Sequence, residues 1–175
     1  KAEILGIYGQ NGSGKTAVVD ALYFLQKVMI GADLDQSLED YMDMDSDTAE
    51  IFADFNIFMD SIVFEIGYRL SLSRKEKEVV ISRETLSAAK NENGIRTNKT
   101  VFMDYQRDQT NVIFKPQKRL DEVLEENKEI KTDLIVARKM AEKSNCSYIF
   151  GESSREIFCR EYENGFQQFS AIISS

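Results

Sequence analysis

The sequence predicts a mixed α/β (α+β) fold, and three observations carry that reading. An apolar run at residues 3–8 passes through a glycine-rich turn into a long apolar helix over residues 16–30. Residues 62–72 then alternate apolar and polar, and the same period recurs to about residue 115. After Pro116, apolar residues return at helical spacing. With 175 residues, the chain has enough length for one domain with a real core. The expected organisation is a strand–loop–helix unit at 1–31, an acidic loop at 32–50, an antiparallel β-meander at 51–115 and a helical segment at 118–175.

The elements follow in order. Glu3-Ile4-Leu5-Gly6-Ile7-Tyr8 is a short apolar run bounded by Gly9, as a buried strand requires. The helix from Thr16 to Ile30 is apolar nearly all round, the pattern of a helix packed inside a domain, and Gly31 is its expected stop. The acidic stretch reads as a solvated loop with a short helix near residues 38–44. In the meander, Ile62, Phe64, Ile66, Tyr68, Leu70 and Leu72 form one face of a half-buried strand, and the charged tip at residues 74–78 turns it into a hairpin with residues 79–86. Asn93-Gly94 signals a further turn, Val101, Met103 and Tyr105 alternate again, and residues 112–115 close the sheet. Leu120, Val123, Leu124, Ile130, Leu134, Ala137 and Ala141 place an amphipathic helix at 118–143. A last helix carries Ile157, Phe158, Tyr162, Phe166, Phe169 and Ile173.

Composition removes several classes of function. Without histidine, no mechanism can use an imidazole base or metal ligand. No apolar run approaches the roughly 20 residues of a membrane-spanning helix, and the first residues show no signal-peptide pattern. Cys146 and Cys159 make no disulfide framework, which points to a reduced, cytoplasmic setting, and Cys159 lies by an apolar stripe as a core thiol would. The net charge of −8 is local: 11 of the 30 acidic residues fall between Lys27 and Arg69, an interval without Lys or Arg. The remainder holds 19 acidic against 22 basic residues, so the acidic balance describes one segment rather than the surface. The Asp-x-Asp spacings there, Asp33/Asp35 and Asp43/Asp45/Asp47, lack the glycine and distal glutamate of a calcium loop.

Gly9-Gln10-Asn11-Gly12-Ser13-Gly14-Lys15-Thr16 fits G-x-x-x-x-G-K-[ST] in full. A polyphosphate needs several donors converging on a small volume, and the amides of a tight loop supply them. Glycines at 9, 12 and 14 permit positive φ and close approach of backbone to oxygen. The loop opens a helix near Gly14 and Lys15, whose free amides and dipole favour an anion. Lys15 is expected to reach the β- and γ-phosphates and to act in catalysis, and the Thr16 hydroxyl is expected to ligate Mg²⁺. Ala17 completes the expected nucleotide contacts. A chance match in a chain of this length is roughly a one-in-a-hundred event, so the core of the fold is expected to be that of a P-loop NTPase.

Asn11 through Thr16, followed by Asp20-Ala21-Leu22, resembles the start of ABC-type ATPase heads of the SMC-like and OLD-like kinds. The resemblance is tightest over residues 4–30 and looser over the meander, since such heads place an antiparallel β-subdomain after the first helix. It implies ATP and Mg²⁺ at Gly9–Thr16, an ABC-ATPase-like N-terminal lobe, a homodimer of heads sandwiching nucleotide, and nucleic acid as a partner by analogy alone. Several family features are missing from these 175 residues: a strand ending in Asp-Glu, a Leu-Ser-Gly-Gly-type segment and the switch histidine. Asp60 and Asp104 end apolar runs without a following Glu and read as structural. The sensor glutamine is not singled out among Gln106, Gln109, Gln117, Gln167 and Gln168. The resemblance therefore implies one lobe of a longer ATPase, turning over only when completed by its other lobe and a second head. A small-molecule P-loop kinase and a non-hydrolysing nucleotide-binding scaffold are the alternatives, and the antiparallel meander argues against the kinase.

Overall fold

Helix α1 spans Lys15–Met29 and stops where its glycine requires it to. Gly31 has φ +71°, its N–H donates to the Val28 carbonyl, and the Ala32 N–H donates to the Lys27 carbonyl, both at 3.0 Å. That pair of bonds is a Schellman stop, and Lys27 in the last turn answers the negative end of the helix dipole. The computed structural model describes residues 14–34, 36–59, 61–75, 78–108, 113–114 and 128–160. The expected strand at 3–8, the loop at 9–13 and the stretches 115–127 and 161–175 lie outside the described residues.

Two expectations change here. Helix α1 is not buried all round: Phe24 and Val28, one turn apart, enter the core, while Val18, Val19, Leu22 and Tyr23 are exposed. Leu25 and Met29, beside that i, i+4 stripe, are half-buried against the same core. The acidic segment, in turn, is more than a solvated loop. A 3-10 helix at Gln36–Tyr41 lies within it, and Leu34, Leu38 and Met42, four residues apart, are buried. Among the described residues Asp33, Glu39, Asp43, Asp45 and Asp47 stay exposed, and the Asp43 side chain accepts the Asp45 N–H at 3.1 Å.

The meander forms as expected and is more extensive. Strands β1 (Thr48–Met59), β2 (Ile62–Lys75), β3 (Glu78–Glu92), β4 (Ile95–Arg96), β5 (Thr100–Gln106) and β6 (Ile113–Phe114) make one antiparallel sheet. Its order is β1-β2-β3-β5-β6, with β4 paired to β3. Asn93 and Gly94 both take positive φ, as a two-residue hairpin loop between Glu92 and Ile95 demands. The register shifts at Ser71/Leu72 and at Leu86/Ser87, bulges that add twist.

One face of the sheet carries the core. Phe64, Ile66, Tyr68, Leu70 and Leu72 of β2, Leu86 and Ala88 of β3, and Met103 and Tyr105 of β5 are buried there. Each fully buried leucine or isoleucine contributes about 2 kcal/mol before entropy is counted. The cover is helical: α1, the 3-10 helix, α2 (Lys128–Ser144) through Ala137 and Ala141, and α3 (Glu152–Arg160) through Ile157. The α2–α3 connection adds Tyr148, Ile149 and Phe150, and Phe150 meets Tyr68 edge to face at 5.1 Å. Among the described residues no helix is long and apolar enough to cross a membrane.

Candidate functional site

The start of α1 is the described part of the glycine-rich motif. Gly14 stands just outside the helix with φ +80° and ψ 10°, a left-handed conformation that glycine adopts without strain. Its carbonyl accepts the Val18 N–H at 3.2 Å, the first bond of the helix. Among the described residues a β-carbon at Gly14 would meet nothing within 4 Å. No side chain among the described residues caps the first turn, and no acidic residue sits in it. Thr16 and Ala17 are exposed, and Lys15 is half-buried. Such an end offers free amides and a positive dipole to an anion.

These residues fit a phosphate group and its ion. The Thr16 hydroxyl lies in the first turn, where a cation bridged to phosphate oxygens would need it. Among the described residues no group of three acidic or cysteine side chains could hold a metal by itself. An Mg²⁺ carried on phosphates and one hydroxyl needs no such cage. Gly9, Gln10, Asn11, Gly12 and Ser13 lie outside the described residues.

Other candidates fall elsewhere. Asp104 lies on antiparallel β5, where Arg83 grips its two oxygens at 2.8 and 2.6 Å. That pairing makes it a strut of the sheet. Asp60, Gln109, Gln117, Gln167 and Gln168 lie outside the described residues. Gln106 is half-buried at the end of β5, and its carbonyl accepts from Arg138 at 3.3 Å. The Cys146 thiol is half-buried, and burial pushes it up to about 11, which keeps it protonated. On the outer face of the sheet, Arg83–Asp104, Lys99–Asp54 and Arg96–Glu65 neutralise one another across strands. Among the described residues these pairs leave that face without a broad basic surface.

The far end of α1 runs into a polar junction that no local sequence pattern marks. Gly31 packs on the α2–α3 connection so closely that a β-carbon would lie 2.5 Å from the Phe150 carbonyl oxygen. Asn145, at φ +48°, donates to the carbonyls of Leu34 and Val79 at 3.2 and 2.9 Å and accepts the Ile81 N–H at 3.2 Å. It thus ties the segment after α1 to β3. Glu84 of β3 is fully buried and accepts from the Tyr68 hydroxyl (2.6 Å), the Ser147 hydroxyl (2.5 Å) and the Tyr148 N–H (2.6 Å). Burial raises its pKa above the ordinary glutamate range, and these hydrogen bonds oppose the rise. The only signal in the sequence is positional, because Glu84 occupies the inward register of Leu86 and Ala88 and faces Leu70 across the strands.

A family model described as "AAA domain, putative AbiEii toxin, Type IV TA system" matches residues 4–135, three quarters of the chain. No curated protein and no solved structure matches.

Proposed function

We propose a function from one premise: the chain belongs to this AAA-domain family, whose members are nucleotide-binding and ATPase-like. In our reading the ligand is Mg-ATP, held at Gly9–Ala17. Backbone amides from Gly9 to Gly14 cradle the phosphates, and the Lys15 ammonium neutralises the β- and γ-oxygens. Thr16 holds Mg²⁺, which when bound spreads the phosphate charge, and the Ala17 amide adds the helix-end field. The observation that carries this reading is the complete motif running into a helix whose Gly14 is left-handed and whose first turn is uncapped and free of acids.

Hydrolysis asks for more than this loop. A water must be oriented by a carboxylate and the transition-state charge met by further donors. The two Asp residues that end apolar runs do not fill that role: Asp104 is held by Arg83, and neither is followed by Glu. We therefore assign the chain the part of an ABC/SMC-like or OLD-like ATP-binding lobe, with turnover dependent on a second lobe and a second head. The cytoplasmic setting belongs to the same proposal.

Calorimetric titration of the purified chain with ATP and Mg²⁺ tests the site. Binding is expected, with Lys15→Ala weakening it by about 100-fold, in keeping with 1.5–3 kcal/mol for a charge-assisted contact. Thr16→Ala is expected to keep metal-free ATP binding while losing the gain from Mg²⁺. Unchanged affinity in Lys15→Ala would count against the reading.

A further inference from the structure

Strand β1 stands at one end of the sheet order and pairs with β2 over its full length, Thr48–Met59, without a bulge. Among the described residues nothing pairs with its other side. Natural edge strands are usually blunted by lysine, proline, bulges or shortness. β1 has 12 residues and contains no Lys, Arg, Pro or Gly. On its outer face Phe52 and Phe58 are 58% and 75% exposed, and the Arg69 guanidinium stacks on the Phe52 ring at 4.5 Å. On the other face Ile51, Ala53, Phe55 and Ile57 are half-buried at the rim of the core.

We propose that β1 is a homodimer seam: two copies pair edge to edge, antiparallel about Phe55, into one continuous sheet. The occupant follows from the strand's complementarity to itself. Centred on Phe55, Phe52 of each copy faces Phe58 of the other, twice by symmetry, and Asp54 faces Asn56 twice. Ala53 then faces Ile57 on either side of the Phe55 pair, so the apolar row runs across the seam. Aromatic cross-strand pairs are among the favourable ones, and like charges directly opposite are unfavourable. A shift to one side places Asp54 against Asp54. A further shift places Phe52 against Asp54 and Phe58 against Thr48. In the chosen register no two like charges of β1 stand opposite one another. This association needs no nucleotide, which separates it from the nucleotide-dependent pairing of heads in the proposed function.

Sedimentation equilibrium of the purified chain without nucleotide tests the seam. A reversible dimer is expected, weakened roughly tenfold or more by Phe52→Lys or by Phe58→Lys, because each substitution strikes two symmetric pairs. Lys15→Ala is expected to leave the dimer intact. The double variant Asp54→Cys/Asn56→Cys reads the register independently of those lysine variants. On oxidation it is expected to form a covalent dimer, with peptide mapping locating the 54–56 linkage. A monomer at all concentrations, a dimer indifferent to both lysine substitutions, a cross-link mapping elsewhere, or a dimer that forms only with ATP would each overturn the proposal.

Discussion

Glu84 shows how one buried carboxylate fastens a loop to a sheet. It gathers the Tyr68 and Ser147 hydroxyls and the Tyr148 amide around one carboxyl group whose ionisation is opposed by burial. A carboxyl whose folded pKa is raised binds its proton more tightly in the folded state. Its stabilising contribution is therefore present at acid pH and declines as pH rises from the ordinary glutamate range through the raised value. Urea unfolding across that window is expected to show a decline in the wild type that Glu84→Gln removes, since the amide cannot ionise. An identical pH slope in both proteins would contradict the assignment. Glu84→Ala leaves the two hydroxyls and the amide buried without their acceptor and is expected to cost about 2–4 kcal/mol at any pH.

Helix α1 is loaded differently at its two ends. Its N-terminus is open, uncapped and acid-free, while its C-terminus closes in a Schellman stop against the α2–α3 connection. Gly31→Ala must place a β-carbon at positive φ and against the Phe150 carbonyl, and is expected to cost about 2–4 kcal/mol. Asn145→Ala removes the bonds donated to the Leu34 and Val79 carbonyls and the one accepted from the Ile81 N–H, and is expected to cost a similar amount. Hydrogen exchange separates local from global effects: the α1 amides should lose protection in Gly31→Ala while the central pair β2 and β3 keeps theirs. Equal loss in helix and sheet would show that the junction is not a local anchor.

Across the whole molecule, what could be read from the sequence is what neighbouring residues decide. Gly14 and Gly31 mark the ends of α1, alternation from Ile62 to Leu72 marks β2, and Asn93-Gly94 marks a turn, because each signal is local. The buried side of the acidic segment was hidden because Leu34, Leu38 and Met42 are interspersed with carboxylates. The exposure of α1 and the roles of Glu84 and Asn145 depend on elements far along the chain, such as Ser147 lying 63 residues beyond Glu84. Of the candidate site, the glycine-rich motif is visible in the sequence because it is contiguous, and the structure adds the left-handed Gly14 and the first turn of α1. The most direct test of the central claim is backbone amide chemical-shift mapping with ATP and Mg²⁺. The amides of Gly9 through Ala17 are expected to shift together, and Lys15→Ala is expected to abolish the change. Saturating nucleotide that leaves those amides unmoved, or shifts concentrated elsewhere, would contradict that claim.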